Sequence, residues 1–248
     1  AFDDDRDAMI KRALDLNIER FFIPAIDSSY TKAMFDLEKA YPKNVHLMMG
    51  LHPTSVKDNY KEELHHVETL FKQRKFVAVG EIGIDLYWET KHIEAQREAF
   101  RVQVGWAKER GIPIVIHVRN AWDALFEEMD KLNDDSLTGV FHCFTGGKKE
   151  AEKAIEYGGF MLGIGGVSTY KNGGLDVVLP EVSLEHLVLE TDSPYLSPVP
   201  HRGKRNESSY VVHVARRVAE IKGLSLEEVA SVTTRNAEKM FHLVSEIK

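Results

Sequence analysis

Five short apolar runs of this sequence each lead into a residue type that binds metal ions or transfers protons. These residues are three histidines, a glutamate and an aspartate: His52, Glu81, His117, His142 and Asp192. Imidazole and carboxylate ligands in this mixture suit Zn²⁺, Mn²⁺ or Mg²⁺, and one carboxylate such as Glu81 can bridge two ions. The pattern therefore favours a metal centre that activates water.

The position of these residues matters more than their identity. Any one of them alone is more typical of a structural role, because buried imidazoles and carboxylates often only stabilise a core. The ends of parallel strands, however, meet at one face of a barrel and build its active site there. Alternation along one run also places Val115, His117 and Arg119 on one face. We expect one pocket to hold four of the side chains: Glu81, His117, His142 and Asp192.

The elements that must position these residues follow a simple alternation. Seven β-rich apolar runs occupy residues 18–26, 45–50, 76–80, 112–118, 138–143, 159–165 and 186–191. Amphipathic stretches long enough for helices lie at residues 31–41, 59–75, 91–110, 121–132 and 148–157. Strands that alternate with helices predict βαβ units and a parallel sheet with both faces covered.

The fold class predicted from this alternation is α/β, with a (β/α)₈ TIM barrel as the architecture. A barrel of this type closes with eight strands, each followed by its helix. Here a helical segment around Met9 precedes seven runs, so one strand is missing at the front. No internal repeat or Pro/Ser-rich linker divides the chain, and we predict a single domain over residues 1–248. Residues 209–248 are expected to be helical.

Composition excludes several classes of protein. The 248 residues carry 39 acidic and 32 basic side chains, a net charge of −7, which excludes a histone-like role in wrapping duplex DNA. No stretch approaches the ~18 apolar residues of a membrane helix, and no secretory signal is recognisable. The single cysteine, Cys143, cannot form an intrachain disulfide. We expect a cytoplasmic protein without membrane contact.

Five motifs, taken in order along the chain, resemble the TatD family of metal-dependent deoxyribonucleases. They are Gly50-Leu51-His52-Pro53, Gly80-Glu81-Ile82-Gly83-Ile84-Asp85, Ile116-His117-Val118-Arg119, His142-Cys143-Phe144-Thr145-Gly146, and Leu189-Glu190-Thr191-Asp192-Ser193-Pro194-Tyr195-Leu196. The resemblance spans nearly the whole chain. It implies the metallo-dependent hydrolase version of the (β/α)₈ barrel.

The resemblance also implies roles for individual residues. Glu81 would bridge two divalent ions (Mg²⁺, Mn²⁺ or Zn²⁺), and His117 and His142 would be ligands of one of them. Asp192 would bind metal and orient or deprotonate the attacking water. Catalysis would thus depend on Asp192 and Glu81, with His52 near the substrate at the mouth of the barrel.

One departure from the family pattern concerns the other ion. The family begins with a strand ending in His-x-His, which supplies two further ligands, and no histidine precedes His46 here. The missing pair coincides with the missing first strand and with the lack of an initiator methionine. We interpret it as a truncation. A chain that truly began at Ala1 would lack two imidazoles of the second metal site.

Basic residues near the predicted mouth are candidates for substrate contacts. Arg202, Lys204 and Arg205 follow the last strand, where phosphate sites form on this fold, and Arg119 lies two residues beyond His117. The same loop could equally be a solvated surface loop. We assign all four cations, together with His52, to substrate binding.

The function that we expect is metal-dependent hydrolysis of DNA phosphodiester bonds, as an exonuclease, with RNA as a further possible substrate. Two alternatives stay open. The same ligand set could activate water for ester or amide hydrolysis, including aminoacyl-tRNA deacylation. Alternatively, a degenerate barrel could bind a partner without cutting it, an interpretation that only the missing His-x-His supports. Metal identity, strand polarity, pathway and oligomeric state are not predictable from the sequence.

Overall fold

The computed structural model describes residues 2–243 of the chain, and their contacts group into two compact units. The central unit comprises residues 20–142 and 157–159, and the split unit comprises residues 2–19, 143–156 and 160–243. Each unit is built from parallel strands and amphipathic helices. Of the five residues predicted to do chemistry, Asp192 lies in the split unit and the other four lie in the central unit.

Five strands belong to the central unit: β1 (Phe21–Ile23), β2 (Val45–Leu47), β3 (Val79–Asp85), β4 (Ile114–Arg119) and β5 (Gly139–Phe141). β1 pairs with β2 in parallel, and β4 lies between β3 and β5, again in parallel. A bridge between Met49 and Val79 links the end of β2 to β3. All seven residues of β3 are buried, as expected for a strand covered on both faces.

The helices of the central unit are α2 (Thr31–Ala40), α3 (Tyr60–Gln73), α4 (Ile93–Arg110) and α5 (Trp122–Leu132). They form because apolar residues recur at helical spacing, as in α3, where Leu64, Val67 and Phe71 are buried on one face. α4 ends at Arg110 and is capped by Gly111, whose φ of 61° supplies the left-handed conformation that commonly terminates a helix. These helices connect the strands that carry the candidate site.

A buried carboxylate ties α4 to α5. Glu128 of α5 is fully buried and accepts hydrogen bonds from Arg97 (2.8 Å) and Arg101 (2.7 Å), both on α4. Lys131 approaches the same carboxylate at 3.4 Å. α4 follows β3 and α5 follows β4, so this ion cluster fixes the helices behind two strands of the candidate site.

The split unit contains α1 (Arg6–Leu14), α6 (Lys148–Glu156), β6 (Phe160–Ile164), α7 (Leu175–Val178), β7 (Leu187–Leu189), α8 (Val211–Lys222) and α9 (Leu226–Met240). β6 and β7 pair in parallel, with Leu162 opposite Leu187. Arg12 of α1 forms a two-bond ion pair with Glu207, which holds the first helix against the segment that precedes α8.

The described residues confirm the seven predicted strands and the leading helix. One boundary differs in a way that matters. The third strand continues to Asp85 instead of ending at Gly80, so Glu81 lies within the strand and not after it. The predicted helical C-terminal region is two helices, with residues 244–248 outside the described part. No helix within residues 2–243 has the length and apolar character needed to cross a bilayer.

Candidate metal centre

An irregularity in β3 determines where Glu81 points. In the pairing of β3 with β4, Gly80 lies opposite Val115 and Ile82 opposite Ile116, so Glu81 is an extra residue without its own partner. Such a bulge re-aims a side chain and changes the alternation beyond it. Without the bulge, the side chain of Glu81 would lie on the same face of the sheet as Val79. Val79 pairs with Ile114, whose side chain lies on the face opposite to that of His117.

The bulge also sets the face of the last residues of β3. Beyond it, Gly83 pairs with His117 and Asp85 pairs with Arg119, so Asp85 shares a face with His117. Gly83 has a φ of 145°, and a Cβ added there would lie 1.9 Å from the carbonyl oxygen of His117. Only glycine therefore allows β3 and β4 to approach this closely beside the site.

Three imidazoles surround the carboxylate of Glu81. His52 Nε2 lies 3.4 Å and His117 Nδ1 3.9 Å from Oε2, and His142 Nε2 lies 3.6 Å from Oε1. Glu81 is only 6% exposed. Burial by itself would raise the pKa of this carboxyl, but His142, His52 and His117 outweigh it and lower the pKa to about 2. A buried, ionised carboxylate thus stands at the centre of the cluster.

The orientation of His117 is set by Asp85, a buried carboxylate at the end of β3. His117 Nε2 lies 2.8 Å from Asp85 Oδ2. Burial alone would raise the pKa of Asp85, but hydrogen bonds from His117 and from the Tyr87 N–H lower it. The Asp85 carboxylate is therefore ionised and accepts the hydrogen bond from His117. Nε2 must therefore carry the proton, which leaves the lone pair of Nδ1 facing Glu81.

His117 is also kept neutral by its surroundings. Burial lowers the pKa of the imidazole, and the hydrogen bond to Asp85 only partly opposes that effect. A neutral imidazole with one lone pair directed at a carboxylate is the form of histidine that binds a divalent metal.

His52 turns the other ring nitrogen, Nε2, toward Glu81. The backbone N–H of Thr54 donates to His52 Nδ1 at 3.1 Å, so that nitrogen is an acceptor. In the neutral ring the proton then sits on Nε2, which faces Glu81. His52, Glu81 and His117 offer ligand atoms within 4.8 Å of one another. In this tautomer, however, His52 presents a hydrogen-bond donor, which suits a substrate oxygen better than a metal ion.

His142 follows β5 directly and completes the group around Glu81. Its neighbour Cys143 belongs to the split unit, has a φ of 45°, and donates its N–H to Glu190 Oε1 at 2.7 Å. Cys143 is partly accessible. The structure thus brings together Glu81, His117 and His142 of the four residues expected in one pocket.

Asp192, the fourth residue of that group, lies in the split unit after β7. It is half-buried and has a φ of 55°, a left-handed conformation that non-glycine residues adopt mainly in tight turns and at functional sites. Asn206, which is fully buried, holds the following turn by donating to the carbonyl oxygens of Thr191 and Tyr195, each at 2.6 Å. That Asp192 joins the cluster stays a prediction.

The basic loop after β7 is exposed, and its three cations have different surroundings. Arg202 stacks on the ring of Tyr170 at 3.7 Å, and the Arg205 guanidinium contacts Asp5 at 2.5 Å. Lys204 is exposed, and its carbonyl oxygen accepts from Ser197. Because an arginine that already pairs with a carboxylate is less available to a phosphate, Arg202 and Lys204 fit substrate contact better than Arg205.

Comparison with known proteins identifies the family to which the chain belongs. A family model described as TatD related DNase matches residues 1–242. The chain belongs to the TatD family. A metal-dependent hydrolase of Bacillus subtilis strain 168, YabD, described as uncharacterized, is 36% identical over 98% of this chain and 94% of that protein. The chain is therefore a TatD-family metal-dependent hydrolase.

Two further relatives extend the TatD comparison. A protein of Pectobacterium carotovorum named 3'-5' ssDNA/RNA exonuclease TatD is 30% identical over 98% of this chain and 95% of its own length. The crystal structure of the TatD homologue YjjV from Escherichia coli K12 superposes with a TM-score of 0.90 at 26% identity, over 97% of this chain and 93% of that one. The predicted α/β barrel class is thereby confirmed.

The donor atoms of this TatD protein fit a divalent cation. The buried, anionic carboxylate of Glu81 faces the lone pair of the neutral His117 imidazole. The other nitrogen of that ring is hydrogen-bonded to Asp85, and this carboxylate–histidine arrangement is typical of metal sites. Sequence reasoning placed Asp85 in a motif but gave it no role, and it did not single out Asn206. No sequence signal indicated either role, because the face of Asp85 depends on the bulge in β3 and Asn206 acts through backbone carbonyl groups.

Proposed function

We propose that this TatD-family hydrolase cleaves phosphodiester bonds of DNA, and of RNA, one nucleotide at a time from a strand end. The single observation that carries the proposal is the buried Glu81 carboxylate between His117 and His142, a ligand set suited to metal-assisted hydrolysis. The exonuclease name of the Pectobacterium relative supports nucleic acid as the substrate class.

The proposed ligands of the metal centre are Glu81, His117, His142 and Asp192, with two divalent ions (Mg²⁺, Mn²⁺ or Zn²⁺) as the full complement. A bound cation supplies charge neutralisation at the phosphoryl oxygens and makes a water molecule more acidic. This charge is needed because the chain is acidic overall and its net field repels a polyanion.

The chain's own residues would perform the remaining steps. Asp192 accepts the proton of the attacking water, and Glu81 provides the fixed negative charge around which the ligands are arranged. Asp85 holds His117 in the tautomer that leaves Nδ1 free of a proton. His52, whose Nε2–H points into the cluster, donates a hydrogen bond to a phosphoryl oxygen and so positions the scissile group.

Basic side chains would hold the rest of the strand. Arg119 follows His117 on β4, and Arg202 and Lys204 lie after β7. Arg205 was predicted with them; its ion pair with Asp5 supports a weaker contribution. Contacts of this kind go to phosphate oxygens and fix the register of the strand without reading its sequence.

The proposal is tested with a single-stranded oligonucleotide labelled at its 5' end and, separately, at its 3' end. Chelator-treated protein is incubated with each label after addition of Mg²⁺, Mn²⁺ or Zn²⁺. An exonuclease gives a ladder of products with one label and released mononucleotide with the other. Glu81→Gln should abolish cleavage with every metal, whereas Glu127→Gln, a change on the surface of α5, should not.

Other outcomes would overturn the proposal. Hydrolysis of an aminoacyl-tRNA or of small esters under the same conditions, without oligonucleotide cleavage, would identify the chain as an acyl hydrolase. Absence of hydrolysis on all substrates with all three metals would instead favour a binding role.

A further inference from the structure

Two aromatic side chains stand exposed directly after β3. Tyr87 is 49% and Trp88 70% exposed, although large apolar side chains are usually covered. Their rings meet edge to face, with centroids 4.9 Å apart and an interplanar angle of 87°. We call Tyr87 and Trp88 the aromatic pair. An exposed indole held by a neighbouring ring is a preformed surface for stacking.

The aromatic pair is fixed to the candidate metal centre by one carboxylate. Asp85 Oδ1 accepts the Tyr87 N–H at 2.9 Å, while Asp85 Oδ2 accepts the proton of His117 Nε2 at 2.8 Å. The carbonyl oxygen of Arg119 also accepts the N–H of Leu86. The pair therefore begins two residues from the group that orients a proposed metal ligand, and its backbone is held to β4.

A cation completes this surface. The Arg119 guanidinium lies 3.5 Å from the centroid of the Tyr87 ring and 5.6 Å from that of Trp88. Within residues 2–243, Arg119 forms no ion pair with a carboxylate. A guanidinium stacked on a ring keeps the N–H groups at its edge available, and these match the geometry of phosphate oxygens. Aromatic faces and an unneutralised cation thus lie side by side.

A small cavity adjoins the aromatic pair. It measures about 270 Å³ and is lined by Thr54, Lys57, Asp85, Trp88, Glu89 and Gln96. This volume is near the lower end of the range of ligand pockets, about 300–1,000 Å³, so it suits a small fragment such as one base or sugar. Trp88 therefore borders a space of the size of one base.

We propose that the aromatic pair and Arg119 form the platform on which unpaired bases of a single-stranded nucleic acid stack next to the metal centre. This inference rests on the proposed function and deepens it, because it names the side chains that hold the bases of the strand. Bases of a duplex stack on each other and leave no face for an indole, whereas every unpaired base offers one. Arg119 binds the adjoining phosphate.

Trp88 provides the means of testing the platform. The chain has three tryptophans; Trp106 packs against Phe71 and Trp122 against Phe126, so Trp88 is the exposed one. Titration with a short oligonucleotide, with EDTA present to prevent cleavage, should quench the fluorescence of the full-length protein. The quenching should disappear in Trp88→Phe and persist in Trp106→Phe, the matched control.

Affinity measurements separate stacking from a general loss of binding. Stacking of one base contributes enough that Trp88→Ala should raise the Kd about 5- to 150-fold. Trp88→Phe should recover part of the affinity. An abasic oligonucleotide of the same length and charge has no bases to stack, so its Kd should be the same for wild type and Trp88→Ala.

Three results would overturn the platform. The Kd for the normal oligonucleotide could be unchanged in Trp88→Ala, or it could rise equally for the abasic strand. Sedimentation could also show that Trp88→Ala converts a dimer into a monomer without a change in Kd, which would make the pair an interface between two copies of the chain. Because binding is measured without metal, base-dependent quenching without cleavage would contradict the proposed function alone.

Discussion

Replacing Glu128 by glutamine tests the ion cluster that joins α4 to α5. The Glu128 carboxylate is fully buried, and its hydrogen bond with Arg101 is the largest influence on its pKa. Burial opposes that influence and Arg97 adds to it, and the result is a pKa of about 2 instead of the ordinary 4.5. By linkage this difference corresponds to about 3 kcal/mol of stability at neutral pH.

The dependence on pH has a definite sign. A carboxyl whose pKa is lower in the folded state stabilises the protein above the unfolded-state pKa, and it loses that contribution as the pH falls through the folded-state pKa. At pH 7, Glu128→Gln should therefore be about 3 kcal/mol less stable than wild type, or roughly 6–12 °C lower in Tm for a chain of this size. The difference should shrink below pH 4.5 and vanish near pH 2.

Urea denaturation followed by circular dichroism, from pH 7 down to the lowest pH at which the protein folds, measures this difference. Glu127→Gln is the matched control, because Glu127 is the neighbouring residue, is 60% exposed, and also pairs with Arg97. An exposed pair contributes at most ~1 kcal/mol. If the two variants were destabilised equally, or if the effect of Glu128→Gln did not diminish with acid, the assignment of a buried, charged Glu128 would be wrong.

Two further predictions concern metal and substrate binding. Asp85→Asn should weaken Mn²⁺ or Zn²⁺ binding about 10- to 100-fold in calorimetric titration, because an amide that accepts from Tyr87 turns its NH₂ toward His117 and moves the imidazole proton to Nδ1. Asp134→Asn is the control, and equal affinities in all three proteins would refute the role of Asp85 as the second carboxylate. Alanine at both Arg202 and Lys204 should flatten the salt dependence of oligonucleotide binding, by about 0.7 in log–log slope for each phosphate that is no longer neutralised. An unchanged slope would reassign the loop to solvent.

Much of the fold could be predicted because its signals are local. Apolar runs indicated the seven strands, and amphipathic stretches indicated helices α2 to α6 between them, but not the short helix α7. Glu81, His117 and His142 could be grouped because residues at the ends of parallel strands converge, and the structure brings them together. Single-domain organisation over residues 1–248 stays a prediction, as does the cytoplasmic location.

What could not be predicted depends on pairing between strands. The bulge at Glu81 is a property of the register of β3 against β4, and a single sequence contains no register. For the same reason the alternation rule assigned no face to Asp85, and nothing indicated that its two oxygens hold His117 and Tyr87. His52 and His117 both carry the proton on Nε2 but turn different ring nitrogens toward Glu81, and this orientation likewise follows from hydrogen-bond partners that the sequence does not show.

Because of the bulge, the side chains of β3 alternate between the two faces of the sheet in one pattern before Glu81 and in the reverse pattern after it. Before the bulge, Val79 lies on the same face as the core residue Ile114. After it, Asp85 lies on the same face as His117 and Arg119. The first half of β3 therefore aligns a core residue with β4, and the second half aligns Asp85 with the candidate site. A one-residue deletion at this point would restore a regular ladder and preserve the hydrophobic pattern of Val79, but it would remove the extra residue that separates the two phases. The position of Asp85 beside His117 thus depends on the spacing of residues along β3 and not only on the composition of the strand.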